Sequence, residues 1–269
     1  MTDTGAMAVW VVIAVIGVGF IAGVLSGLVG VGGAVLTTPG IRFLGASPLV
    51  AIGSTLPAII PGSLSGTARY SRARLVDWPI ALTAGGSGAL LAVVGAWTSD
   101  HVNPHSLMLL TAALLGISAW KTSRPARVLV AAGGSSPAEI AEPTPETSRP
   151  AVAGIGAGSG FIAGLLGIGG GVVLVPAFTT LLRMPIKRAI ASSLVAVAIF
   201  SVPAMVTHAL LGHINWAYAL LLTAGSVPGA QVGSHLTIRG SEARVRRLVG
   251  LFLGGLAIVY ALRELAELL

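Results

Sequence analysis

The chain alternates long apolar runs with short polar breaks. Five runs precede its middle, at residues 7–29, 33–45, 48–68, 78–98 and 104–120, and five follow, at 151–168, 171–183, 189–211, 216–237 and 247–265. Runs of roughly twenty apolar residues are what a helix needs to cross the roughly 30 Å hydrocarbon core of a bilayer. A membrane barrel would instead alternate polar and apolar positions in short segments. The pattern therefore predicts an all-α polytopic membrane protein. Between the two sets, 121–150 is rich in Pro, Ser, Gly and Glu and reads as a linker.

The two sets are versions of one pattern. SGLVGVGGAVLTTP ends at Pro39 and AGLLGIGGGVVLVP at Pro176, 137 positions later. Pro48 and Pro185 keep that offset; GSTL at 53–56 then faces ASSL at 191–194, and Asp77-Trp78 faces Asn215-Trp216. A generic apolar chain does not enforce such an order, so duplication is the reading. The expected units are 1–120, a first transmembrane repeat; 121–150, a cytoplasmic linker; and 151–269, a second repeat.

Charge orients the repeats. Of the 16 Lys and Arg, fourteen fall in four breaks: Arg69, Arg72 and Arg74; Lys121, Arg124, Arg127 and Arg149; Arg183, Lys187 and Arg188; and Arg239, Arg244, Arg246 and Arg247. The breaks at 99–105 and 212–215 have none. Placing the basic breaks in the cytoplasm puts both termini outside, so each repeat crosses an odd number of times and the second is inverted relative to the first. The net charge of +7 is explained by this orientation, without nucleic acid. Trp10, Trp78, Trp97, Trp120 and Trp216 fall at segment ends, as interfacial anchors do. The N-terminus lacks the basic stretch and cleavage pattern of a signal peptide and is expected to stay on.

The second segment of each repeat is too short to span, so it and the first should form a broken or re-entrant hairpin, with three spanning helices after it. The tips are GVGG at 30–33 and GIGGG at 167–171. Glycine permits left-handed backbone there, and the helix that follows each tip exposes N–H groups that favour an anion. Candidate substrate-binding residues are Gly30, Gly32, Gly33, Gly167, Gly169, Gly170 and Gly171, with Ser54, Thr55, Ser192 and Ser193 early in the third segments. The hydroxyls have two open roles, binding an oxyanion or bonding their own helix. Gly23/Gly27 and Gly156/Gly160/Gly164 read as helix-packing faces, and Pro39 and Pro176 as the ends of the short helices. Tyr70 and His208, at matching places, and Gln231 are candidates for coupling or gating.

No cysteine is present, no Asp or Glu lies deep in a segment, and the five His are dispersed. No metal, no cofactor and no enzymatic chemistry are expected. A passive anion channel and a structural membrane protein are the competing classes.

The paired Gly-rich stretches, each followed by a short apolar run, a proline and then GSTL or ASSL, resemble the sulfite exporter TauE/SafE family over all but the linker. That resemblance implies a permease of the bacterial inner membrane, exporting sulfite or an organosulfonate such as sulfoacetate. An alternative it leaves open is a permease for another small organic or inorganic anion. The inverted repeats add the expectation of alternating access around an anion held between the tips at the midplane, driven by the membrane potential or a proton gradient, with proton coupling and a homodimer left open. Ala34 stands where the second repeat has Gly171, so the more complete site is expected in the second half.

Overall fold

The computed structural model describes residues 9–123 and 149–268; the linker predicted at 121–150 lies almost wholly outside them. Among the described residues all regular structure is helical. The first half comprises α1 (Val9–Val29), α2 (Ala34–Phe43), α3 (Pro48–Arg72), α4 (Trp78–Ser99) and α5 (Pro104–Ser123). The second comprises α6 (Arg149–Leu166), α7 (Gly171–Thr180), α8 (Ile186–Leu210), α9 (Trp216–Arg239) and α10 (Glu242–Leu268). Among these, α1, α3, α4, α6 and α8 are long and apolar enough to cross a membrane.

Three boundaries differ from the reading above. Pro39 and Pro176 lie inside α2 and α7 rather than at their ends; each removes one ladder bond, which a helix packed among others tolerates. α3 continues through Arg69 and Arg72, and α8 already contains Lys187 and Arg188. Arginine is a good helix former and a cation suits a helix C-terminus, so α3 does not stop where apolar residues do. α10 likewise starts at Glu242, ahead of its apolar run.

Asp77 and Asn215, matched in the sequence, cap α4 and α9: Ile80 N–H donates to Asp77 Oδ1 at 3.3 Å, and Ala217 and Tyr218 N–H to Asn215 Oδ1 at 3.1 and 3.3 Å.

Glycine sets the closest packing. Gly19, Gly23 and Gly27 of α1 face Leu222, Ser226 and Ala230 of α9, so tightly that a Cβ on any of them would overlap backbone. Gly156, Gly160 and Gly164 of α6 make the same approach to Ala84, Gly88 and Ala92 of α4. Both pairs run parallel. This is the small-residue packing read from the sequence: with no hydrophobic drive between helices in lipid, close backbone approach supplies the association.

Cross-links define the two ends of the bundle. At one, Arg69 near the end of α3 donates to the Gln231 carbonyl of α9 at 2.9 Å, Lys187 at the start of α8 donates to the Ile238 carbonyl at 2.9 Å, and Arg188 pairs with Asp77 at 3.6 Å. At the other, Gly53 near the start of α3 lies against His213, just past α8. Hence α3 and α9 run one way and α4 and α8 the other. The five tryptophans are all exposed on the outside of the bundle.

Candidate functional site

The two glycine tips meet at the centre. Gly30, Gly32 and Gly33 have φ of 77°, 86° and 80°; Gly167, Gly169 and Gly170 have 63°, 76° and 60°. This left-handed run reverses the chain between α1 and α2, and between α6 and α7, as glycine permits and L side chains resist. Gly171 sits against the Gly30 carbonyl and Val31, and Gly32 lies beside Gly169 between Ile59 and Val197.

Each tip is held by the other half of the chain. Ser193 Oγ lies 3.0 Å from the Gly30 carbonyl and 2.9 Å from that of Ile190; Thr55 Oγ1 lies 3.3 Å from the Gly167 carbonyl and 2.9 Å from that of Ile52. Ser192 Oγ accepts from Asp77 N–H at 2.9 Å and Ser54 Oγ from Asn215 N–H at 2.8 Å. All four predicted hydroxyls thus bond backbone across the two halves: Thr55 and Ser193 locate the tips, and Ser54 and Ser192 fix the starts of α9 and α4.

Tyr70 and His208 also occupy matching places. Tyr70 donates to the Gly27 carbonyl at 2.6 Å, and a ring nitrogen of His208 lies 3.0 Å from the Gly164 carbonyl. Each ties the end of its long helix to the last turn before a tip. Tyr70→Phe should leave a buried carbonyl unpaired and cost about 1–3 kcal/mol, read as a lower melting midpoint in detergent. Gln231, by contrast, is exposed on α9, away from the tips.

The surroundings of the tips are unequal. Beside the first, Ser26, Gly33, Thr37, Gly62 and Ser226 line a narrow cleft of about 10 Å³, room for one water. Ser26 is 2% exposed, and its hydroxyl has no hydrogen-bond partner. At the corresponding positions of the second half, Phe200 stands for Gly62, Gly88 for Ser226 and Ala163 for Ser26. The fully buried Phe200 ring packs against Gly88 and Gly170 and fills the equivalent space. The open polar cleft is therefore in the first half, the reverse of the expectation drawn from Ala34 and Gly171. The reason lies on α8: the extra glycine at 171 makes room for the other tip, while one aromatic residue closes the cleft.

A larger cavity of about 350 Å³ opens at the basic end, lined by Leu28, His235, Arg239, Arg244 and neighbours. Leu28 is two residues before the first tip.

Sequence reasoning missed one cluster. It read the five histidines as dispersed, but His208 and His213 form a chain with Asp100. The available signal was that the tie provided by Tyr70 in one half falls to a histidine in the other. No group of three or more His, Cys, Asp or Glu suited to a metal occurs among the described residues.

A helical bundle with five helices, among the described residues, long and apolar enough to cross a membrane, and two broken helices meeting at its centre, fits a multi-pass membrane protein. The chain belongs to the sulfite exporter TauE/SafE family, whose sequence model matches residues 15–260. It is 31% identical over 234 residues to the probable membrane transporter protein YunE of Bacillus subtilis, covering 80% of this chain and 85% of that one. It is 28% identical over 268 residues to a probable membrane transporter protein of Xylella fastidiosa, covering 97% and 99%. No solved structure matches it.

Proposed function

We propose that this protein is a secondary transporter of a small sulfur-containing oxyanion, sulfite or an organosulfonate such as sulfoacetate, working as an exporter in the inner membrane. The observation that carries this reading is the meeting of two left-handed glycine tips, each leading into a short helix, at a buried centre. Helix N-termini favour negative charge through their free N–H groups and dipole, and irregular backbone at membrane depth belongs where it lines a cavity or is buried in protein. No Arg or Lys is needed to clamp the anion, which leaves it free to depart.

Two inverted repeats supply the mechanism. The matched helices α3 and α8 run in opposite directions, as do α4 and α9, and contacts occur in exchanged pairs: α1 with α9 and α6 with α4, Ser193 with the first tip and Thr55 with the second. Rocking of one half against the other then exposes the centre to either side in turn. The one-water cleft is the occluded state. The basic cavity ending at Leu28 is the cytoplasmic approach, where Arg239 and Arg244 draw anions in. An interior-negative potential assists exit by about 2.3 kcal/mol per charge per 100 mV.

The anion is placed on the first-repeat side, where Ser26 offers an unused hydroxyl. Thermal melting of purified protein over a panel of sulfite, sulfoacetate, sulfate and carboxylates tests this. Wild type and Ser159→Ala should be stabilised by one sulfur oxyanion. Ser26→Ala should need at least about tenfold more of it, the loss of roughly 1.4 kcal/mol of binding. Ser159 is the fitting control: its hydroxyl is also buried without a partner, but it lies in the half that Phe200 fills. Equal responses of the two variants would remove Ser26 from the site.

A further inference from the structure

The chain of side chains at the end opposite the basic cavity has a proton count that its geometry dictates. His208 on α8 is fully buried, and one ring nitrogen, Nε2, lies 3.0 Å from the Gly164 carbonyl of α6. Its Nδ1 lies 3.1 Å from Nδ1 of His213, which is 8% exposed. His213 Nε2 lies 3.1 Å from Oδ1 of Asp100, whose side chain is 41% exposed at the end of α4. A carbonyl can only accept, so His208 Nε2 must carry a hydrogen. The contact between the two Nδ1 atoms needs a second hydrogen, and the contact to the carboxylate a third. Two neutral imidazoles supply only two.

The array is therefore complete with one additional proton. That proton can sit on Asp100, on His213 or on His208, and each placement satisfies all three contacts with the same heavy-atom positions. It can pass from the exposed carboxylate to the buried ring by exchange along the hydrogen bonds. Without it, two lone pairs, or a lone pair and a carboxylate oxygen, face each other at about 3.1 Å, and one link opens.

Among the described residues, the other charged residues and histidines at this end are His101, Arg42 near the end of α2 and His105 at the start of α5. His101, beside Asp100, turns its Nδ1 to the Trp97 carbonyl at 3.1 Å and its ring to the Trp97 indole. Arg149 on α6, Lys187 and Arg188 on α8, and Arg69 and Arg72 on α3 all lie toward the opposite ends of those helices. The first half lacks the device: Tyr70 makes the corresponding tie to Gly27, Leu75 stands where His213 does, and nothing there titrates near neutrality.

We propose that His208, His213 and Asp100 are the proton-binding site of the transport cycle. The bound proton clamps the ends of α4, α6 and α8 together, and its release accompanies opening of this end. The clamp ends at Gly164, three residues before the second glycine tip begins at Gly167, so its state bears on the anion site. The proposal rests on the transporter reading and adds a proton-controlled gate to it.

The test uses the full chain in phosphatidylethanolamine–phosphatidylglycerol vesicles, with sulfoacetate and methanesulfonate as probes and the pH set separately on each side. Sulfonates stay ionised between about pH 6 and about pH 8, so any pH dependence of the flux belongs to the protein. Wild-type flux should fall as the Asp100 side is acidified, by up to about tenfold per pH unit, the slope of one proton. His213→Leu and Asp100→Asn should lose the slope, while His101→Ala, whose ring is turned to Trp97, keeps it. Wild-type sulfonate flux that does not change with pH, or a pH profile unchanged in His213→Leu, would overturn the relay and leave the transporter standing. No flux of any oxyanion by wild type would remove the transporter reading and the relay with it.

Discussion

Gly171→Ala should reduce oxyanion transport to the level of empty vesicles, the largest effect of any single methyl group in this protein. A Cβ at 171 overlaps the Gly30 carbonyl and the Val31 backbone. Those atoms belong to the other tip, whose left-handed glycines and bond to Ser193 leave it nowhere to retreat. Overpacking of this kind costs typically about 1–3 kcal/mol, and here the tips themselves are what separates. The reverse change at the matched position is the control. Ala34→Gly costs at most about 1 kcal/mol of helix propensity and should retain transport. Side-by-side vesicle assays and melting curves check both. Transport by Gly171→Ala at wild-type rate would mean that the meeting of the tips is scaffold only.

Phe200→Ala should give the largest loss of stability, about 3–5 kcal/mol by the usual cost of emptying a buried phenylalanine site. It should also change what the protein carries. The ring fills in the second half the space left open in the first between Gly33, Gly62 and Ser226. Removing it opens a second cleft beside Gly170, which should admit larger sulfonates or leak anion. Phe200→Leu should recover most of the stability and restore selectivity, because it refills most of the volume. Melting in detergent reads the first effect, and competition between sulfonates of different length reads the second. A Phe200→Ala protein with wild-type melting and selectivity would show that the two halves are equivalent at this position.

These effects trace to different depths of legibility in the sequence. The helices were readable because a bilayer demands long apolar runs, and the duplication because glycines, prolines and Asp77/Asn215 recur in one order. The helix-packing glycines were readable because spacing by four puts them on one face. The polar contacts were not. Ser54 and Ser192 had two open roles, since local spacing cannot reveal that each accepts from the chain 161 or 115 residues away. The unequal halves were hidden for a similar reason. Phe200 and Gly62 stand in matched places, but only the packing tells that one fills a space the other leaves open. Asp100 and His213 are 113 residues apart and belong to different repeats. Their pairing follows from α4 and α8 ending at the same end of the bundle.

Counterflow in vesicles tests the central claim most directly. Purified protein is reconstituted with a high internal concentration of sulfite or sulfoacetate, and labelled anion is added outside at trace concentration. The account predicts transient accumulation of label against its own gradient, saturating with substrate and absent in Gly171→Ala. Such exchange requires one site exposed alternately to the two sides. Equilibration of label without overshoot would indicate a channel open to both sides at once, and no movement of any sulfur oxyanion would contradict the account outright.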